Sequence, residues 1–383
     1  MFRAIDKWLP GYLRSVCRRP AKTAGTRHLI FCLSDHFEPH GNASSCGDAV
    51  RLVREWVEEY PQATDAFTDS DGRFPQHTFF YPAEAYSAEC LDNLALLCKQ
   101  GHGEVEVHLH HRNDTADNLR ATLCDFCDKL HGNHGLLGRD EGGRVRYGFI
   151  HGNWALCNSR PDGDWCGVNE ELAVLKQTGC YADFTFPSAP SPTQPRMVNA
   201  IYRAEDRPGR PRGADRGKLV RASGQTLVPP HPALSRRSPE GRRRNTPLLL
   251  IQGPLAPDWG RRKWRILPRL ENGDITNVNP PLPRRIDLWV RQGIHVMGRP
   301  EWVFVKVFSH GCVAGNREAL LGERMRRCHE YLAEAYDDGK RWRLHYVTAR
   351  EMYNIVRAAE DGKAGNPGEY RDYEVARPEC FHV

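Results

Sequence analysis

The octapeptide Glu104-Val105-Glu106-Val107-His108-Leu109-His110-His111 decides how this chain is read. Polar and apolar residues alternate through it, which is the period of a β-strand, and it finishes in three histidines within four positions. Short β-like runs recur on either side, at residues 28–34 (HLIFCLS), 77–81 (HTFFY), 147–151 (YGFIH), 182–186, 248–251, 303–308 (VFVKVF) and 344–348 (LHYVT). Helical stretches fit between most of them, near 48–60, 84–100, 115–131, 169–178, 316–337 and 349–360. Asn113 or Asp114 can cap the helix that begins at Thr115. Alternation of this kind predicts an α/β fold of parallel strands covered by helices. The expected architecture is a distorted, roughly seven-stranded (β/α) barrel with parallel strands and an Arg/Pro/Gly-rich insertion.

Enzymes of that architecture collect reactive side chains at the C-terminal ends of their strands. Here the first strand runs into Ser34-Asp35-His36-Phe37-Glu38-Pro39-His40 and the third into His108-Leu109-His110-His111. The next leads into His151-Gly152-Asn153-Trp154, and the VFVKVF strand into Ser309-His310-Gly311. His108 and His110 are two apart, so both project to one face and their rings can converge on one cation. His111 points the other way if the strand continues. Glu104 and Glu106 share the parity of His108 and are expected to hold the imidazole tautomers. A divalent metal follows, with Zn²⁺ foremost for nitrogen and carboxylate ligands. His36, Asp35 and Glu38 compete to complete its ligand set. Asp35 is the candidate base, and His310 the candidate acid for a leaving group.

Composition sets the outer bounds. A chain of 383 residues, 40% hydrophobic and 27% charged, can bury a large core, which excludes wholesale disorder and collagen-like structure. No run approaches the roughly 18 to 20 apolar residues of a membrane span, and the first twenty residues lack a continuous apolar export signal. A cytoplasmic location is expected. The 13 cysteines, an odd count without repeated spacing, fit reduced thiols there. Cys124 and Cys127 form a lone CxxC within a helix, with no second pair to complete a zinc knuckle. Of the net charge of +6, residues 203–244 contribute +8 and the remainder −2. That stretch lacks interleaved aromatics, so it reads as a solvated insertion, open to an anionic substrate, and nucleic-acid binding is not expected. Phe2, Ile5, Trp8, Leu9, Tyr12, Leu13 and Val16 recur at helical spacing, with Pro10 and Gly11 expected to kink or split the helix. This N-terminal segment is either an interfacial anchor giving peripheral membrane contact or an arm packed on the body. The division expected is an arm at 1–24, a barrel at 25–362 and a tail at 363–383.

The order of these clusters resembles the polysaccharide deacetylase family, carbohydrate esterase family four of the glycoside hydrolase/deacetylase barrel superfamily, over roughly His28 to Ala359. That family's first motif, TFDDG, supplies a base and then a metal-ligating Asp. Aligned on Leu33-Ser34-Asp35-His36-Phe37, Asp35 takes the base position and His36 stands where the ligand Asp is expected. The family's HxxxH is matched by His108 and, at shorter spacing, His110. His151 in GFIHGNW lies near the place of a groove arginine, and Asp183 in Tyr181-Ala182-Asp183-Phe184 resembles a later groove motif without its tryptophan. His310 matches the late histidine acid. The resemblance implies a metal-dependent hydrolase that removes an N-acyl group, acetyl foremost, from an amino sugar of a glycan or glycan precursor, using metal-activated water and a carboxylate base. It implies His36, His108 and His110 as ligands, Asp35 and His310 as catalytic groups, and Glu38, His111, His151, Asn153, Trp154 and Asp183 along the saccharide. Two alternatives stand beside it: a glycoside hydrolase pairing Asp35 with Asp183, and a glycan-binding relative without catalysis.

Overall fold

A computed structural model describes residues 3–20, 25–224 and 246–381. Its centre is β1 (Arg27–His36), with all but its first residue buried. Along one side β1 pairs in parallel with β11 (Trp302–Ser309), from His28 against Trp302 to Asp35 against Ser309. Its other side is shared between β12 (Trp342–Tyr346) at the start and β2 (His77–Pro82) at the end. From β2 the parallel order continues through β3 (Gly103–Leu109), β4 (Tyr147–His151), β5 (Cys180–Asp183) and β8 (Leu249–Ile251). The expected strands are therefore present, several shifted by about two residues.

The sheet is larger than the seven strands expected. Among the described residues it has ten, because β6 (Ile201–Ala204) and β7 (Gly217–Leu219) extend it antiparallel beyond β8. A separate hairpin pairs β9 (Ala256–Lys263) with β10 (Leu267–Glu271). The sheet curls strongly: Lys306 on β11 donates from Nζ to the carbonyl of Phe184, just past β5, at 2.7 Å. Among the described residues no ladder joins β8 to β11.

Period two sorts the side chains. Leu29, Phe31, Leu33, Val105, Val107 and Val305 enter one core with α2 (Cys46–Thr64), α3 (Ala88–Lys99) and α4 (Ala116–His134). Ile30, Cys32, Phe80, Ile150 and Phe304 enter a second core, on the other face. The remaining helices are α5 (Glu171–Thr178), α6 (Pro283–Arg291), α7 (Ala314–Leu321), α8 (Glu323–Tyr336) and α9 (Ala349–Glu360). The single helix expected over 316–337 breaks at Gly322, where a Cβ would crowd the carbonyl of Glu318 at 2.6 Å.

The N-terminal segment forms α1 (Ile5–Cys17), which continues through Pro10 instead of splitting there. Gly11 lets it lie against the carbonyl of Arg196, with no room for a Cβ. Trp8, 1% exposed, packs with Ala189, Val198 and Leu255, so the structure displays the packed arm. Among the described residues no helix is long and apolar enough to cross a membrane. The expected insertion is not wholly a solvated loop. Its first half supplies β7, and Arg203 reaches Glu360 at 2.7 Å, while residues 225–244 lie outside the described residues.

Candidate metal centre

Alternation along β1 separates Asp35 from His36. Asp35 shares parity with Leu33 and Phe31 and turns toward the helix layer, whereas His36 follows Cys32 to the opposite face. Asp35 is fully buried, and both oxygens are engaged: Oδ2 accepts from His77 Nε2 at 3.0 Å and Oδ1 from the Gly311 N–H at 2.6 Å. This corrects the placement of Asp35 as the base beside the metal. Its contacts make it a positioning residue for the turn that carries His310. A Cβ at Gly311 would press into Asp35 Oδ2, so only glycine fits there.

His36 meets three other aromatic side chains of the expected site. Its ring stacks on His310 at 4.5 Å between centroids, lies edge-on to His108 at 4.8 Å and is 6.2 Å from Trp154. One ligand atom each from His36, Glu38 and His108 falls within 4.8 Å of the other two. His108 donates from Nδ1 to the carbonyl of Ile150 at 2.8 Å, which leaves Nε2 facing Glu38 Oε1 at 2.9 Å. With Nδ1 carrying the proton of the neutral ring, Nε2 and Oε1 are both acceptors, and either a proton on Nε2 or a cation held by the two reconciles them. The donor set of two imidazoles and a carboxylate therefore fits a divalent metal of the zinc class, without fixing which one.

His110 is adjacent to this trio and not within it. Its ring is 4.6 Å from that of His108 and its Nε2 is 3.4 Å from Glu38 Oε1, but its Nδ1 donates to Glu84 at 2.7 Å. Glu38, expected both along the saccharide and as one candidate for the third ligand, groups with His36 and His108 where His110 was expected. Glu104 and Glu106 do not hold the imidazoles. At about 3.3 Å per residue they sit well below His108 on β3. Glu104 pairs with Arg350 at 2.7 Å, and Glu106 accepts from Gly148 N–H at 2.5 Å and from the Tyr181 hydroxyl.

Burial dominates the electrostatics. It drives the His36 pKa well below the ordinary value, helped by the neighbouring His310 and His108, and it also lowers that of His310. For Glu38 burial acts upward, yet the hydrogen bond from His108 and the charges of His108 and His110 leave its carboxyl lowered. Burial thus favours a neutral His36 ring beside an ionised Glu38 carboxylate, the states in which these two groups ligate metals.

The remaining expected residues divide. Trp154 reaches the site, 6.2 Å from the His310 ring, and its buried Nε1 lacks an acceptor. Asn153 and Trp154 both have φ of 53°, a left-handed conformation that non-glycine residues adopt at a cost and that clusters at functional sites. Asp183 instead hydrogen-bonds to Thr185 at 2.7 Å, and burial raises its pKa to about 7. His111 and His151 turn from the trio and meet one another beside Glu171. A further group, Asp69, Asp71 and His345, already holds a cation: the Arg371 guanidinium lies 2.9 Å from Asp69 and 3.0 Å from Asp71. Glu84 and Glu171 were absent from the sequence reading, since nothing local marks a carboxylate that arrives from a distant loop or helix start. No protein-family model matches the chain, and no curated protein matches it.

Proposed function

We propose that this chain is a metal-dependent hydrolase that removes an N-acyl group, acetyl foremost, from an amino sugar of a glycan or glycan precursor. The observation that carries the reading is the convergence of His36, Glu38 and His108, with His310 stacked on His36 at 4.5 Å. These three residues would hold the ion, and His110 lies beside them as a further imidazole. A divalent ion there supplies Lewis-acid polarisation of an acyl carbonyl and acidifies water.

The chain's own groups account for the rest. His310 is the imidazole placed to take a proton from water and return it to the departing amine, because Asp35 faces the other side of β1. The Trp154 ring offers an apolar face to a sugar. Asp35 and Gly311 hold the His310 turn in register with β1. On this reading the curled sheet is a distorted barrel, its ends brought together by Lys306 and Phe184. The substrate is then a nucleotide-linked, lipid-linked or small soluble saccharide in the cytoplasm, with membrane contact at α1 confined to the face bearing Leu13. The glycosidase alternative is weaker, because Asp35 and Asp183 are both hydrogen-bonded within the protein.

The test is acetate release from a panel of N-acetylated amino sugars by purified protein. The expected result is turnover that a chelator abolishes and Zn²⁺ restores. Absence of release across the panel with metal present, or release indifferent to chelation, contradicts the proposal.

A further inference from the structure

We propose that His111, His151 and Glu171 form a second divalent-metal site, separate from the trio of His36, Glu38 and His108. The three side chains come from different elements: His111 follows β3, His151 ends β4 and Glu171 opens α5. Their side chains are 7%, 0% and 0% exposed. His111 Nε2 lies 2.8 Å from His151 Nε2, and Glu171 Oε1 lies 3.3 Å from the first and 3.4 Å from the second.

Every atom on the far side of this triangle is committed. His111 donates from Nδ1 to Asp114 at 2.7 Å, and His151 donates from Nδ1 to the carbonyl of Gly152. Glu171 Oε2 accepts from the Cys157 N–H at 2.6 Å. The neutral rings therefore turn two lone pairs and a carboxylate oxygen toward one buried point. One proton between the two nitrogens relieves only one edge. It leaves Glu171 beyond the roughly 2.7–2.9 Å of a charge-assisted hydrogen bond. A tetrahedral ion with bonds of about 2.0–2.1 Å holds its ligand atoms about 3.3 Å apart, close to two edges of this triangle. Two imidazoles disfavour magnesium and calcium, so the ion belongs to the zinc class. The Asp114–His111 pair then acts as the carboxylate that orients a ligating ring.

Such an ion ties the ends of β3 and β4 to the start of α5. It thereby fixes the segment after His151, where Asn153, Trp154, Cys157 and Asn158 all have positive φ. The inference does not depend on the hydrolase reading.

Metal-stripped protein, titrated calorimetrically with Zn²⁺, tests it. Wild type is expected to bind about two equivalents. Glu171→Gln, which keeps the shape and an acceptor for Cys157, should lose one, and His36→Ala the other. Circular dichroism checks that each variant is folded, and a zinc-edge anomalous map of wild type locates the ions without any variant. Binding of as many equivalents by Glu171→Gln as by wild type, or no density between His111 and His151, overturns the proposal. A single equivalent lost in Glu171→Gln but kept in His36→Ala supports this site while contradicting the trio.

Discussion

Gly311 carries more of the candidate site than its size suggests. It donates its N–H to Asp35 and has no room for a Cβ beside that carboxylate. Gly311→Ala should destabilise the fold by about 1–3 kcal/mol through overpacking, and should cost more activity than stability because the His310 turn must shift. Denaturant titration and acetate release on the same preparation separate the two effects. His329 gives a test remote from the site. Burial lowers its pKa to about 3, with Nδ1 against the Tyr346 hydroxyl at 2.9 Å. The unfolded chain protonates this ring below about 6.5 while the folded one does not, so its contribution is present above that pH and is lost as pH falls toward 3. Wild type should lose up to about 1.4 kcal/mol per pH unit in that window from this group, and His329→Gln should show a correspondingly flatter profile. At this scale the histidines of β1 and β3 were legible because period two and strand-end position dictate where they face. Asp35 was misread because it was grouped with its strand-end neighbours without the alternation that turns it away from His36. Glu171 was not legible, since it meets His111 across 60 positions.

Helix α9 shows what an element's sequence conceals. It carries Arg350, Glu351, Asn354 and Arg357, yet every residue from Ala349 to Ala359 is buried. The polar groups are satisfied from elsewhere: Arg350 by Glu104 and Asp372, and Asn354 by the carbonyls of Arg371 and Val375. The helix starts with a capping box, in which Thr348 accepts from the Glu351 N–H and Glu351 from that of Thr348. Thr348 also donates to Glu104 at 2.8 Å, which links the cap to the ion pair. Glu104→Gln should therefore cost about 3–5 kcal/mol, since it leaves a buried guanidinium without its main counter-charge. Urea unfolding with an unchanged slope would check that figure, and a loss below about 1 kcal/mol would contradict it. The arginines at the start of the supposed insertion were misread for the same reason: composition records their charge but not the partners, such as Asp215 for Arg212, that remove them from solvent.

Over the whole molecule, the strands from β11 through β5 and their parallel direction were legible, because each is a short apolar or alternating run and helical stretches fit between most of them. The antiparallel strands β6 and β7 were not, since they are only 4 and 3 residues long, and the β9–β10 hairpin was not, since β9 carries Asp258, Arg261, Arg262 and Lys263. The C-terminal segment, expected as a tail, is part of the body. Val375 is fully buried, and Arg371 joins Asp69, Asp71 and Glu351. Ending the chain after Glu360 should uncover α9 and leave Asn354 and Arg350 unsatisfied, so the shortened protein should melt far lower or fail to fold; calorimetry with a melting point equal to that of the full chain would refute this. The central claim is that an ion held by the β1 and β3 imidazoles drives N-acyl hydrolysis. Its most direct test is the rate of acetate release by the zinc-reconstituted His108→Ala variant, compared with wild type under one protocol. The account predicts a loss of more than about 100-fold in a folded variant; equal rates in the two proteins would contradict it.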